Sequence, residues 1–191
     1  MVEAQTGAAE TATRARTRRA ILDAALVVLA RDQAASLGDI AVEAGVGRTT
    51  LHRYFPERSD LVDALSQHVL DRIAAATDRA CPGQGSALAA IERLCQEYFA
   101  LGDALTIIFN DPQLACRPEW SQETEADRSL LRLIERGHAD GSIDPQVDPA
   151  WAQQLLWALL YAGWQYVNDN TAPRYEALTQ CLRSLRKSLA A

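Results

Sequence analysis

The chain has 191 residues, 48% of them hydrophobic, and a formal net charge of −6. That length supports one substantial core or a small domain beside a larger one, and no run of about 18 apolar residues offers a membrane span. The opening MVEAQTGAAETATRARTRR lacks the apolar centre of a secretory signal, so cytoplasmic residence is the expectation.

Charge is unevenly placed. Eight arginines stand against five acids between Arg14 and Arg58, whereas 11 basic residues stand against 17 acids from Leu61 onward. A basic end on an acidic chain presents one surface to a polyanion and holds the rest away from it. Lys187 is the only lysine, so arginine is the default cation here and a single one says little. The cysteines at 81, 95, 116 and 181 form no metal-ligand spacing and read as reduced thiols.

Residues 1–12 are small and polar without periodicity. They are predicted as a disordered arm, either a plain terminus or one that touches nucleic acid. Helix 1 is predicted from Thr13 to Arg31, with Ile21, Leu22, Ala25, Val28 and Leu29 as its buried stripe. Arg14, Arg16, Arg18 and Arg19 crowd its first turns, where cations oppose the helix dipole, so they serve something other than helix stability.

Helix 2 is predicted over 37–44, with Leu37, Ile40, Ala41 and Ala44 on one face and a capping box from Ser36 and Asp39. Gly45 supplies the turn, and helix 3 runs from about Gly47 to Phe55. Arg48, Thr49, His52 and Arg53 fall on one side of it; Thr50, Leu51 and Tyr54, flanked by Phe55, fall on the other. So short a helix must be packed through Leu51. Its open side then carries two guanidinium groups, a hydroxyl and an imidazole without a carboxylate, the groups that bond base edges and phosphates. A helix–turn–helix places its second helix in the major groove in this way.

Pro56 breaks the chain, and helix 4 is predicted over 58–80 with Val62, Leu65, Val69, Ile73 and Ala76 inward, about 35 Å long. His68 and Arg72 flank that stripe, as a solvated edge or as polar groups of a pocket. CPGQG at 81–85 is a loop. Helix 5 is predicted over 86–101 with Leu88, Ile91, Cys95 and Tyr98 on one face. Gly102 and Asp103 interrupt it before a short helix 6 over 104–110, and 111–118 is a Pro-bounded loop. Helix 7 is predicted over 119–139 around Leu130, Leu131 and Ile134. Asp127 on its apolar stripe needs either a structural partner or a ligand.

After a loop over 137–149, Asp148 and Pro149 open helix 8, which runs to Val167 and is apolar nearly all round. One side suits its own core and the other a partner. Helix 9, 173–189, adds Leu178, Leu182, Leu185 and Leu189. No strand pattern occurs.

The run from Ser36 to Leu61 resembles the DNA-binding segment of the TetR family of bacterial regulators. Ser36, Asp39, Ile40, Ala41, Ala44, Gly45, Val46, Thr50, Leu51, Tyr54, Phe55 and Leu61 fit its pattern in register, and Arg58 stands where Lys is usual. Gly47 in place of a Ser cap, His52 in place of Tyr and Glu57 in place of Ser depart from it. The resemblance implies an all-α fold of about nine helices: a helix–turn–helix domain over 13–56, then a ligand-binding and dimerisation domain over 57–191. It implies a homodimer joined through helices 8 and 9 on a pseudo-palindromic operator. It also implies a repressor released when a small hydrophobic or aromatic effector shifts helix 4, with no cofactor and no membrane role. Arg48 and Thr49 are the base-contact candidates, with Arg53 beside them and His52 suited to either job. Thr17, Ser36, Thr50, Tyr54 and Arg58 match phosphate positions. Tyr98, Phe109, Trp120, Asp127, Leu131, Trp157, Tyr161 and Trp164, with His68, are the effector candidates. A small helical enzyme or a protein-interaction module is the alternative, but no nucleophile–base pair, metal spacing or phosphate loop supports catalysis.

Overall fold

The computed structural model describes the backbone of residues 2–110, 117, 120 and 122–191, with side chains from residue 12 onward. Among these residues there are nine helices and no strand: α1 (Val2–Arg31), α2 (Leu37–Glu43), α3 (Arg48–Tyr54), α4 (Arg58–Arg79), α5 (Ala87–Phe99), α6 (Gly102–Asn110), α7 (Glu125–Asp140), α8 (Pro149–Asn168) and α9 (Arg174–Leu189). No helix among them is long and apolar enough to cross a membrane. The chain divides into two compact units, Met1–Val69 and Leu70–Ala191.

In the first unit, Ile21, Leu22, Ala25, Leu26 and Leu29 of α1 are buried along with Ile40 and Ala41 of α2, Leu51 of α3, Phe55, and Leu61, Leu65 and Val69 of α4. Leu26 takes a core place that the sequence reading gave to Val28, which is half-buried. The backbone of 2–12 is helical, where a disordered arm was expected. Ala4, Ala8, Ala9 and Ala12, with Glu and Gln between them, are strong helix formers, and extending an existing helix avoids the cost of a new nucleus.

The capping box forms as its spacing predicts. Ser36 Oγ accepts the Asp39 N–H at 3.2 Å, and Asp39 Oδ2 accepts the Ser36 N–H at 2.8 Å. The Ser36 hydroxyl, which donates to Asp39 Oδ2, and then the Ser36 N–H hold the Asp39 carboxyl below its ordinary value. Gly45 ends the helix at φ +65°, a backbone that side chains resist, and this sets the direction of α3. Gly47 caps α3 with no side-chain hydrogen bond.

In the second unit, α5 lies against α7 and α9, and α8 lies against α9, α7, α5 and α6. Ile91, Leu94, Tyr98 and Phe99, Leu130 and Ile134, Leu156, Leu160 and Trp164, and Leu185 make its core. Gly163 lets α8 approach its neighbours closely: a Cβ there would meet Cys181 Sγ at 2.5 Å and Phe99 at 2.8 Å. The Cys181 thiol donates to the Leu159 carbonyl at 3.1 Å. Asp140 and Ser142 accept the first backbone N–H groups of α5, from Ala87 at 2.9 Å and Leu88 at 3.2 Å.

Two predicted boundaries move. The break after α5 falls at Ala100 and Leu101, and Gly102 and Asp103 already belong to α6. α7 begins at Glu125 because Thr124 and Asp127 form a second capping box; its expected start at 119, and most of the expected loop over 111–118, lie outside the described residues.

Candidate nucleic-acid interface and ligand cavity

Burial of Leu51 at 0% exposure seats α3 and decides which of its sides faces out. Arg48, Thr49, His52 and Arg53 are all exposed, while Thr50 and Tyr54 are half-buried. The sequence reading of two unlike faces therefore describes the helix. Arg53 lies over the Tyr54 ring at 5.7 Å, and Arg18 of α1 lies over Phe55 at 5.5 Å. The Arg48 guanidinium folds back over α2, so close that a Cβ on Gly38 would sit 3.2 Å from it. From there it lowers the Asp39 carboxyl further.

Three phosphate candidates have partners inside the unit. Thr17 Oγ1 donates to the Thr13 carbonyl at 3.1 Å, and Ser36 Oγ donates to Asp39 Oδ2 at 2.7 Å. Arg58 donates through both arms of its fork, to the Ala35 and Gln33 carbonyls, each at 2.6 Å. It thus ties down the link between α1 and α2. Nothing in the local sequence signals this, because the acceptors are backbone groups more than 20 residues away.

The second unit holds a cavity of about 520 Å³. Leu70 and Ile73 of α4 and Leu105 and Ile108 of α6 give it aliphatic walls, and Phe109, Trp120 and Trp157 give it aromatic ones. Gln122, Thr124, Gln153 and Gln154 add polar groups. Among the described lining residues Asp127 is the one charged side chain. Its Oδ2 accepts from the Thr124 N–H at 2.9 Å and hydroxyl at 2.6 Å, and its Oδ1 accepts from Gln153 Nε2 at 2.7 Å. This carboxylate therefore has structural partners, and it also lines the cavity.

Of the effector candidates, Phe109, Trp120, Asp127 and Trp157 come together on this cavity. The others lie elsewhere. Tyr98, 1% exposed, stands behind Trp157 with the rings 5.1 Å apart and 8° from parallel. Trp164 is buried and donates through Nε1 to the Phe99 carbonyl at 3.2 Å. Tyr161 packs on Phe109 at 5.2 Å in a shallow recess that adjoins the cavity and shares Phe109, Gln154 and Trp157 with it. Leu131 is half-buried and does not line the cavity. His68 belongs to the first unit, where Nε2 lies 2.8 Å from Asp23 Oδ1. Helical spacing put these residues on apolar faces, but spacing alone does not separate wall from core. Gln122, Thr124, Gln153 and Gln154 escaped the sequence reading. The only signal was Thr124-x-x-Asp127, a capping-box spacing that would have placed both residues at a helix start.

Comparisons with known proteins agree with this geometry. The sequence model described as bacterial regulatory proteins, tetR family, matches residues 21–65. The HTH-type transcriptional repressor LfrR of Mycolicibacterium smegmatis is 39% identical over 181 residues, 94% of either chain. The crystal structure of LfrR in complex with proflavine superposes with a TM-score of 0.75 at 38% identity, covering 92% of this chain and 98% of that one. The ketosteroid regulator KstR2 of Mycobacterium tuberculosis shares the fold at a TM-score of 0.70 and 17% identity, covering 91% and 95%. A likeness at 39% identity that runs through both units, together with a helix–turn–helix model on the first, means that this chain belongs to the TetR family of bacterial regulators.

Proposed function

We propose that this DNA-binding transcriptional regulator is a cytoplasmic repressor that leaves its operator when a flat aromatic cation fills the cavity of its second unit. The observation that carries the proposal is the lining: aromatic faces from Trp120 and Trp157 around a single carboxylate, Asp127, with no cationic side chain among the described residues. Aromatic faces and a carboxylate both attract organic cations. The volume of about 520 Å³ lies within the ordinary range for small-molecule sites. LfrR, a repressor, has been crystallised with proflavine, a flat cationic dye. In this chain the Gln153 amide now covers Asp127 Oδ1, and a ligand ammonium or ring N–H can take its place.

On the DNA side, Arg48 and Thr49 read base edges and His52 and Arg53 supply base or phosphate contacts. Among the phosphate candidates, Thr50 and Tyr54 are better disposed than Thr17 and Ser36, whose hydroxyl protons are engaged within the unit, and than Arg58, whose fork is turned onto two carbonyls. Two copies pair through α8 and α9. In support, α8 leaves Ala158, Ala162 and Tyr166 exposed, beside a groove that it shares with α9. The dimer then meets two half-sites about 34–36 Å apart on one DNA face.

The test is selection of bound duplexes from a random library, then titration of the recovered complex with proflavine. A palindromic or near-palindromic site, released by proflavine with quenching of tryptophan emission, is expected. A selected site whose complex is indifferent to proflavine would rule out this effector class while leaving the regulator intact. No selected site would reject the DNA-reading assignment of α3.

A further inference from the structure

We propose that Tyr98 is the positioning residue that passes occupancy of the cavity to α4. The proposal rests on the reading of that cavity as the effector site.

The connection is short and continuous. Trp157 of α8 is cavity wall, and the Tyr98 ring of α5 stacks on it at 5.1 Å, out of reach of the cavity itself. The Tyr98 hydroxyl lies 2.8 Å from Thr77 Oγ1 on α4. Thr77 sends its own proton to the Ile73 carbonyl at 2.9 Å, one turn back, so Tyr98 is the donor to Thr77. Ile73 is again cavity wall. Two walls on different helices are therefore joined behind the cavity by one buried phenol.

That link is built to transmit. Tyr98 is 1% and Thr77 5% exposed, so water does not replace a broken bond between them. Burial pushes the phenol up to about 12, and the Asp127 charge adds to this, so the proton stays on Tyr98 at physiological pH. A flat ligand laid against Trp157 displaces or holds the indole, and the stacked ring follows. The Thr77 turn of α4 then follows the hydroxyl, or the bond is lost. α4 is also the helix whose first turns belong to the DNA-binding unit. An effector acts only through a difference between two states, and the Tyr98–Thr77 bond is a candidate for that difference on which both sites bear.

Tyr98→Phe isolates the hydroxyl, because it keeps the stacked ring and leaves no buried donor unpaired. Thr77→Ser keeps the acceptor and is the rescue control. For each variant, proflavine affinity is measured by tryptophan quenching, and operator affinity is measured with and without saturating proflavine on the selected duplex. Tyr98→Phe is expected to bind proflavine within about twofold of the parent and the free operator as tightly as the parent. Its loss of operator affinity on adding proflavine should shrink by about fivefold or more, the lower end of ordinary coupling. Thr77→Ser should respond as the parent does. If Tyr98→Phe keeps the parent's full response, the link carries nothing. If its weaker response is accounted for by weaker proflavine binding, Tyr98 belongs to the binding site and the proposal is likewise wrong. A parent protein that binds no proflavine would overturn the effector reading and this proposal together, which sets that failure apart from the other two.

Discussion

Arg48 and Arg58 carry the same charge at opposite ends of the recognition segment, yet their surroundings assign them different work. Arg48 is exposed, lies over Gly38 and sits in the field of the Asp39 carboxylate. Arg48→Ala is expected to cost about 1–3 kcal/mol at the preferred site and to relax base preference there, read as the enrichment profile of a repeated selection. Arg58 grips two carbonyls, so Arg58→Lys, which keeps the charge but loses the fork, should lower the melting temperature of the free protein, by about 1 kcal/mol in stability. An unchanged melting curve would return Arg58 to a purely phosphate role. Ser36→Ala makes a pH-dependent prediction. The folded Asp39 carboxyl is held below 3.8, so its hydrogen bonds add stability that is complete above that value and fades as pH falls through the lower folded one. The stability gap between parent and Ser36→Ala, followed by denaturant titration, should therefore narrow in acid.

At the scale of the element, what the sequence made legible and what it did not divide along a physical line. Caps and turns depend on near neighbours, so Ser36 with Asp39, Gly45 and the Asp148–Pro149 start of α8 could all be read directly. The faces of α3 were legible for the same reason, since Leu51 is the one large aliphatic side chain in a seven-residue helix. Tyr98, Trp164 and Trp157 were not separable, because each sits at apolar spacing and only tertiary packing decides which one meets a cavity. Asp127 falls between these cases: its cap was in the sequence pattern, and its bond to Gln153, 26 residues on, was not. Thr124→Ala tests the local half. It removes the acceptor for the Asp127 N–H and should cost about 1 kcal/mol in unfolding free energy. Because Asp127 loses a fixed partner, the same variant should also weaken proflavine binding. Intact affinity in a destabilised Thr124→Ala would show that cap and ligand site are independent.

For the whole molecule, the quantity that matters is the pairing of two copies. Ala162 lies exposed on α8 at the rim of the groove shared with α9. A carboxylate there would be buried unpaired in a dimer formed through these helices, at a cost of several kcal/mol. Ala162→Glu is thus expected to shift sedimentation to the monomer and to abolish high-affinity binding to a two-half-site duplex, while the helical signal is kept. A dimer that survives this change would place the pairing surface elsewhere.

The close approach at Gly163 turns Cys181 into a clock. Its sulfur fills the space that a side chain on α8 would need and lines the groove between α8 and α9, so a thiol reagent reaches it only while that groove is uncovered. Cys81 is exposed and serves as the internal reference for intrinsic reactivity. The ratio of the two alkylation rates, resolved by peptide mass, therefore reports how often the groove is uncovered. Operator or dye that holds a second copy on the groove would slow Cys181 relative to Cys81, giving a measure of pairing without any mutation.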